Sequence, residues 1–240
     1  EEDFKSINGN GYFVFAQVLF APNYGIAQTR ERIFFIGINK SFLTSKLYKV
    51  LNSNNLNIFS DYNPFPPPTH SPTDQLNLFN NQLKNYTQVG NILAGLKEPE
   101  KEKLDQSQMK YSKARYYANT QGQIEVNLQG LSPTIRAEHH GNIEFRRLSK
   151  DYGGKYLDEL NSGKQMRRLT VRECARIQTF PDDYEFVRDR RISKSDYPLS
   201  ATDGYKLIGN AVPPLLAYHL AMRLEKIWDL LFENSQENNS

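Results

Sequence analysis

Two arginines at the start of a predicted strand are the first residues whose types and spacing could do chemistry. Period-two alternation places Arg30 and Arg32 on one strand face, together with Phe34. A fixed guanidinium offers several hydrogen-bond donors and a permanent positive charge, which suits the stabilisation of developing negative charge. The residue types alone equally allow a solvent-exposed arginine pair on an edge strand.

A polar residue before a predicted helix is the second candidate. Asn210 follows Gly209, and the pair Pro213-Pro214 suits the first turn of a helix. Backbone N–H groups at a helix N-terminus attract anions and carbonyl oxygens, so Asn210 could bind such a group there. The same residues are also typical of a simple turn that leads into a helix.

The single cysteine does not fit the role of a nucleophile. Cys174 lies in a helix predicted between Thr170 and Pro181, in which Thr170 is the N-cap and Glu173 completes a capping box. A neighbouring carboxylate raises the pKa of a thiol and disfavours the thiolate, so we interpret Cys174 as a packing residue. The sequence also shows no metal-ligand spacing and no Ser-His-Asp set.

The composition is globular and only slightly basic. The 240 residues include 38% hydrophobic and 24% charged residues, with a formal net charge of +3. Over 110–150 the seven Lys and Arg residues outnumber the three Asp and Glu residues, and some lie beside Tyr111, Tyr116 and Tyr117. This mixture suits phosphate and base contacts without being specific for them. One cysteine excludes an internal disulfide and fits a reducing cytoplasm, and neither a signal peptide nor a membrane-spanning segment is visible.

Strand and helix signals alternate along the chain. The β-rich runs 12–20 and 33–38, with turn residues between them, predict an antiparallel hairpin. We also expect an exposed loop over 52–74 and a helix over 88–96 with Thr87 as its N-cap. Short strands are expected over 124–128 and 142–148. The final helix carries an apolar stripe, formed by Leu216, Leu220, Leu224, Ile227 and Leu231.

Three stretches resemble conserved blocks of DNA (cytosine-5) methyltransferases, and they occur in the order found in that family. Residues 28–37, which read QTRERIFFIG, resemble the Q-x-R-x-R block. Residues 168–181, which read RLTVRECARIQTFP, are similar to the R-x-L-T-x-R-E-x-A-R-x-Q-x-F-P block. Residues 208–214 match the I-G-N-A-V-P-P block that opens the family's last helix.

The resemblance implies a role for residues of each block. Arg32 would hold the O2 side of an extruded cytosine, and Arg30 would support it and the adjoining phosphate. Asn210 and Ala211 would bind S-adenosyl-L-methionine. The segment 132–135 resembles the family's Thr-Leu/Ile/Val element near the flipped base, so Thr134 and Ile135 would contact DNA. Arg136, His139 and His140 follow directly and could reach phosphate or bases, and for these three residues ordinary surface exposure is the alternative.

The fold that the resemblance implies is α/β, the C-terminal portion of a Rossmann-like S-adenosylmethionine-dependent methyltransferase domain with an inserted mixed-β target-recognition domain. We expect a catalytic-domain part over 1–96, the target-recognition domain over 97–190, a hinge over 191–202 and a return to the catalytic domain over 203–240. The family's Pro-Cys loop, Phe-x-Gly-x-Gly cofactor loop and Glu-Asn-Val block have no counterpart in this sequence.

The expected function is therefore that of a C-terminal fragment or subunit of a DNA (cytosine-5) methyltransferase. It would transfer a methyl group from S-adenosyl-L-methionine to C5 of a flipped cytosine in a specific duplex sequence, in a bacterial restriction-modification system. The expected partners are double-stranded DNA and an N-terminal catalytic half, without which the chain would be inactive, and the expected location is the cytoplasm. A non-catalytic DNA-binding module and a purely structural subunit remain as alternatives.

Overall fold

A computed structural model describes residues 11–52, 61–72, 82–137, 142–189 and 197–232. The content is mixed α/β. The strands are β1 (Tyr12–Phe20), β2 (Glu31–Asn39), β3 (His70–Ser71), β4 (Lys84–Asn85), β5 (Phe145–Arg147) and β6 (Arg167–Arg168). The α-helices are α1 (Ser45–Asn52), α2 (Val89–Leu93), α3 (Gln106–Met109), α4 (Leu157–Asn161), α5 (Val171–Ile177), α6 (Ala201–Asn210) and α7 (Pro214–Leu231).

The chain divides into two compact units. The first comprises Glu1–Phe20, Glu31–Pro68 and Leu216–Ser240, and the second comprises Ala21–Arg30 and Thr69–Leu215. The domain limits expected from the sequence follow the positions of the motifs and remain predictions. None of the described helices is both long and apolar enough to cross a bilayer.

The first unit is built on the predicted hairpin, which the structure confirms. β1 and β2 pair in antiparallel register from Tyr12 with Asn39 to Phe20 with Glu31. Because β2 begins at Glu31, Arg30 lies just before the strand and not on it. The stripe of α7 is also confirmed. A small core joins the hairpin, α1 and α7, and its buried members are Ile38, Leu47, Ile227 and Leu231.

The second unit has the larger core, and α5 lies within it. The capping box of α5 is confirmed, because the Thr170 hydroxyl accepts from the Glu173 N–H at 2.9 Å and the Glu173 carboxylate accepts from the Thr170 N–H at 2.8 Å. The helix ends at Ile177, ahead of Pro181, because Thr179 adopts a left-handed φ of 69°. The core is apolar, and it includes Ile135, Leu169, Val171, Cys174, Phe186, Tyr205 and Ile208.

Three local predictions in the second unit were wrong: the N-cap of a short helix, a strand over 124–128 and a turn at Gly209-Asn210. Gln88, not Thr87, is the N-cap of the short helix α2, and it has no side-chain cap. The N–H groups of Val89 and Gly90 instead donate to the carbonyls of Gly130 and Leu128. Within 124–128 there is only an isolated bridge from Glu125 to Phe145. The short strand predicted over 142–148 is present, as the three-residue strand β5.

The third error concerns the Gly209-Asn210 turn. Both residues are the last ones of α6, whereas the sequence predicts a turn there that leads into the next helix. A second capping box opens this helix, since Ser200 and Asp203 each accept from the other's backbone N–H. Residues 190–196 of the predicted hinge lie outside the described residues.

The loop predicted over 52–74 is only partly described. Its residues 53–60 and 73–74 lie outside the described ranges, and residues 61–69 form no helix or strand. The loop is not wholly exposed, because Phe65 is 5% exposed. His70 and Ser71 form β3, which pairs in parallel with β4.

Candidate functional site

A buried pair of glutamines links the first and second conserved blocks within the second unit. Gln28 Nε2 donates to Gln178 Oε1 at 2.6 Å, and neither residue is exposed. Gln178 Nε2 donates in turn to the carbonyls of Ile208 at 3.1 Å and Ala211 at 2.9 Å, which belong to the third block. One amide pair therefore connects all three blocks.

Arg30 reinforces the same junction. Its Nη1 donates to the Ile135 carbonyl at 3.0 Å, and its Nη2 donates to the carbonyls of Gly209 at 2.9 Å and Ala211 at 3.0 Å. The last carbonyls of a helix carry partial negative charge, so a guanidinium at the end of α6 is favourable. Arg30 is 2% exposed, and these donors are directed to backbone carbonyls; its contact with the adjoining phosphate remains a prediction.

The segment 132–137 is held against the first block. The N–H of Thr29 donates to the Ser132 carbonyl at 2.8 Å, and the Thr134 hydroxyl donates to the Thr29 carbonyl at 2.7 Å. Gln28 Oε1 accepts from the N–H of Ile135 at 3.0 Å. This backbone therefore has a defined position next to the Q-x-R-x-R block.

Gly209 allows α6 to approach this segment closely. A Cβ atom at position 209 would lie 2.3 Å from the Ala137 nitrogen and from the Arg136 carbonyl carbon. Real Cβ atoms do not approach backbone atoms so closely, so any side chain at 209 would push the segment away from α6. The glycine of the I-G-N-A-V-P-P block is thus required by packing.

The predicted DNA contacts Thr134, Ile135 and Arg136 differ in their exposure. Ile135 is fully buried, so its side chain packs in the core and anchors segment 132–137. Thr134 is half-buried and Arg136 is exposed. Thr134 and Arg136 are therefore the two positions at which side chains can reach a ligand, and their DNA contacts remain predictions. His139 and His140 lie outside the described residues.

Arg32 lies in the first unit, on β2, and is exposed. Its Nη1 donates to the carbonyl of the preceding residue, Glu31, at 2.6 Å. This local bond constrains the side chain while leaving the guanidinium at the surface. Its role towards cytosine remains a prediction.

Asn210 lies at the C-terminal end of α6, and this corrects the argument based on a helix N-terminus. The backbone groups presented there are carbonyls, and those of Gly209 and Ala211 are already bound by Arg30. The side-chain amide of Asn210 is exposed, and it has both a donor and an acceptor. Its contact with S-adenosyl-L-methionine remains a prediction.

Cys174 is fully buried, as expected for a packing residue. Burial raises the pKa of its thiol well above the usual range, and the carboxylates of Glu144 and Glu173 act in the same direction. A neutral, inaccessible thiol cannot attack a base. Among the described residues, no three His, Cys, Asp or Glu side chains form a metal-binding group.

Gln28 and Gln178 are not among the site residues predicted from the sequence. Both are invariant letters of the quoted motifs, Q-x-R-x-R and R-x-Q-x-F-P, and each is a polar residue in a segment that becomes buried. A buried amide needs hydrogen-bond partners, and here each amide is the partner of the other. Their presence as fixed letters in two motifs was the sequence signal that could have identified these two glutamines.

Comparison with known proteins assigns the family. The model of the C-5 cytosine-specific DNA methylase family matches residues 2–226, and the chain belongs to this family. Enzymes of this family use S-adenosyl-L-methionine as the methyl donor.

Particular relatives are type II methyltransferases. The chain is 29% identical over 232 residues to M.FnuDI of Fusobacterium nucleatum, covering 92% of this chain and 58% of the relative. It is 29% identical over 217 residues to M.MthTI of Methanothermobacter thermautotrophicus, covering 90% of this chain and 57% of the relative. The solved Dnmt2 methyltransferase of S. pombe aligns with a TM-score of 0.49 at 14% identity, covering 95% of this chain and 60% of that structure. The chain thus spans less than two thirds of the length of these proteins.

Proposed function

We propose that this chain is the C-terminal part of a DNA (cytosine-5) methyltransferase and is inactive without an N-terminal catalytic half. The complete assembly would transfer a methyl group from S-adenosyl-L-methionine to C5 of a cytosine flipped out of a specific duplex sequence, within a restriction-modification system. The fold would be the C-terminal portion of a Rossmann-like domain that carries an inserted target-recognition domain, with the limits expected from the sequence.

The observation that carries this proposal is the junction formed by Gln28, Arg30 and Gln178. It brings the backbone of the third block, whose Asn210 would contact the cofactor, against the segment that carries Thr134 and Arg136, which would contact DNA. Methyl transfer requires that base and sulfonium be held in a fixed geometry. A buried network of uncharged amides and one arginine provides such rigidity.

The nucleophile must come from outside this chain. C5 methylation needs a group that attacks C6 of the ring, and the chain's single cysteine is buried with a raised pKa. Bound S-adenosyl-L-methionine supplies the methyl group. Residues of this chain would then serve to bind and orient, with Arg32 donating to the cytosine O2 and Asn210 to the cofactor.

An exposed apolar face in the first unit supports a requirement for a partner. Val18, Ile33 and Phe35 lie on the hairpin and are 56%, 55% and 47% exposed. Val18 pairs directly with Ile33 in the register, so their side chains are neighbours. A contiguous apolar surface of this kind is typical of a protein-protein interface.

The test is complementation. The chain would be mixed with candidate N-terminal halves that carry the Pro-Cys loop, the cofactor loop and the Glu-Asn-Val block, together with tritiated S-adenosyl-L-methionine and unmethylated duplex DNA. We expect methyl transfer only from the mixture, and we expect Arg32→Ala to reduce it at least about 100-fold by removing a donor aimed at developing charge. Lys101→Ala, at an exposed position in the other unit, is the matched control.

Other outcomes separate the alternatives. Sequence-selective DNA binding without transfer in any pairing would favour a non-catalytic DNA-binding module. Absence of both transfer and salt-dependent DNA binding would favour a purely structural subunit. Either result would contradict the proposed activity.

A further inference from the structure

Gln121 and Arg136, two exposed residues whose side chains can hydrogen-bond to base edges, are in contact near Thr134. The Nη1 group of Arg136 donates to Oε1 of Gln121, and both residues are exposed. Arginine reads guanine, and glutamine reads adenine, through paired hydrogen bonds to base edges in the major groove. Among the residues that the structure describes, Nε and Nη2 of Arg136 form no hydrogen bond with protein, so they remain available to a ligand.

The segment that carries Gln121 is held by a buried arginine of the second conserved block. Arg168 is 1% exposed, and its Nε and Nη2 donate to the carbonyls of Ala114 at 3.0 Å and Arg115 at 2.9 Å. Its Nη1 donates to the carbonyl of Gly122 at 2.9 Å and to that of Ile143. Nη2 also donates to Gln123 Oε1 at 3.0 Å. Four of the five N–H donors of this guanidinium therefore fix segment 114–123, and the fifth binds the Ile143 carbonyl.

The backbone on either side of Gln121 is also constrained. Gln123 Nε2 donates to the Gln121 carbonyl at 3.0 Å. Gly122 has a φ of +72°, and a Cβ there would lie 2.2 Å from the Asn142 carbonyl group. A glycine is therefore needed both for the left-handed conformation and for the close approach. Gln121 is presented from a turn with little freedom to move.

The backbone around Arg136 is also constrained. Ile135, its neighbour, is held through its N–H by Gln28 and through its carbonyl by Arg30. Gly209 packs against the carbonyl group of Arg136 itself. Both members of the pair thus extend from fixed backbone, and a side chain that is held before binding loses less entropy on binding.

We propose that Gln121 is a specificity-determining residue, which holds the Arg136 guanidinium so that its remaining donors face the edge of one base pair in the target. This inference rests on the proposed function, because it assumes that the face around Thr134 meets duplex DNA. The amide of Gln121 acts here as an acceptor for Arg136. Substitution of Gln121 should therefore change the base preference at one position of the target, and it should not weaken binding to all DNA sequences equally.

The test is selection from a pool of randomised duplexes by the chain in complex with its complementing N-terminal half. The variants are Gln121→Ala, Arg136→Ala and their combination, with Gln165→Ala as an exposed glutamine control. We expect Gln121→Ala and Arg136→Ala to lower the preference at the same base pair, each by about tenfold. The double variant should lose no more than Arg136→Ala alone, since both changes remove one interaction.

A conservative variant separates positioning by Gln121 from direct reading of a base by its amide group. Gln121→Glu retains an acceptor for Arg136, so we expect the preference at that base pair to persist while the added negative charge weakens binding to all duplexes. Loss of the preference in Gln121→Glu would contradict the positioning role.

Two further results would also overturn the inference. One is an unchanged base profile in Gln121→Ala. The other is a uniform weakening across sequences in Arg136→Ala with a smaller salt dependence, which would identify a phosphate contact. A wild-type complex that selects no consensus would overturn the proposed function as well, and so the two failures are distinguishable.

Discussion

Gln28 and Gln178 hydrogen-bond to each other at 2.6 Å through their side-chain amides, although 150 positions separate them in the chain. The bond is buried, and both amides make further bonds to backbone groups of other segments. Low local dielectric strengthens such bonds and makes an unpaired amide costly. Each glutamine is therefore required for the other to be buried.

The first prediction concerns this amide pair. Gln178→Ala removes the acceptor of Gln28 and a donor to the Ile208 and Ala211 carbonyls. We expect the free energy of unfolding to fall by about 3 kcal/mol, because each buried group left without a partner costs about 1–3 kcal/mol. Urea denaturation measures the change. Gln129→Ala, at an exposed position, should cost less than about 0.5 kcal/mol, and equal costs for the two variants would refute the buried network.

The second prediction concerns the contact between α6 and segment 132–137. Gly209→Ala places a methyl group 2.3 Å from backbone atoms of Arg136 and Ala137, neither of which can rotate away. We expect a loss of at least about 2 kcal/mol in the free energy of unfolding, typical of overpacking.

Gly37→Ala is the matched control for that change. A Cβ at position 37 would have its nearest neighbour, Tyr12 Cδ1, at 3.6 Å, which is ordinary van der Waals contact. We expect this variant to be as stable as the wild type or slightly more so in thermal unfolding. A tolerated Gly209→Ala would show that α6 does not pack so closely in solution.

The third prediction concerns a buried carboxyl. Burial raises the pKa of Glu144 from 4.5 to about 7, against the opposing influence of Arg136 and Arg168. Its Oε2 is buried without a hydrogen bond among the residues described. Between these two pKa values the folded chain holds a proton that the unfolded chain has lost. The contribution of Glu144 to the free energy of unfolding therefore falls as the pH rises through this window.

Glu144→Gln removes this titration. Relative to the wild type, the variant should gain about 3 kcal/mol in the free energy of unfolding between about pH 4.5 and pH 8, because one pKa unit corresponds to about 1.4 kcal/mol. Parallel urea titrations at both pH values measure this difference. Glu100→Gln, at an exposed position, is the control. A difference that does not change with pH would show that Glu144 is ionised in the folded chain.

The fourth prediction compares a buried with an exposed ion pair. Arg167 binds Glu173 through two hydrogen bonds of 2.8 and 2.9 Å, and both side chains are nearly inaccessible. Glu173→Gln leaves the buried Arg167 charge with Glu98 as its remaining carboxylate partner, at 3.1 Å, and disturbs the capping box of α5. We expect a loss of about 1.5–3 kcal/mol in the free energy of unfolding, typical of hydrogen bonds to charged groups, as measured by chemical denaturation.

The exposed comparison is Glu185→Gln, which breaks the ion pair with Arg188 near the surface. Solvent screens such pairs, so the expected loss is below about 1 kcal/mol. Similar costs for Glu173→Gln and Glu185→Gln would mean that the buried pair is hydrated in solution.

Local patterns in the sequence were sufficient for several elements. The hairpin follows from two runs of β-branched and aromatic residues, the start of α5 from the Thr170 and Glu173 capping box, and the buried face of α7 from leucine spacing. Each of these elements depends on residues that lie within a few helical turns or one strand pair of each other, so a local stretch of sequence is enough to predict it. The three motif blocks were likewise readable as residue strings, and the family match agrees with them.

Tertiary structure alone decided how the blocks are joined. Gly209 and Asn210 resemble a turn locally but end α6, and Arg30 resembles a surface arginine locally but is 2% exposed. The pairing of Gln28 with Gln178 depends on hydrogen bonds whose partners are distant in sequence, and no local propensity encodes the choice of such a partner. The sequence determined which polar residues must be satisfied, whereas packing of the second unit determined which groups satisfy them.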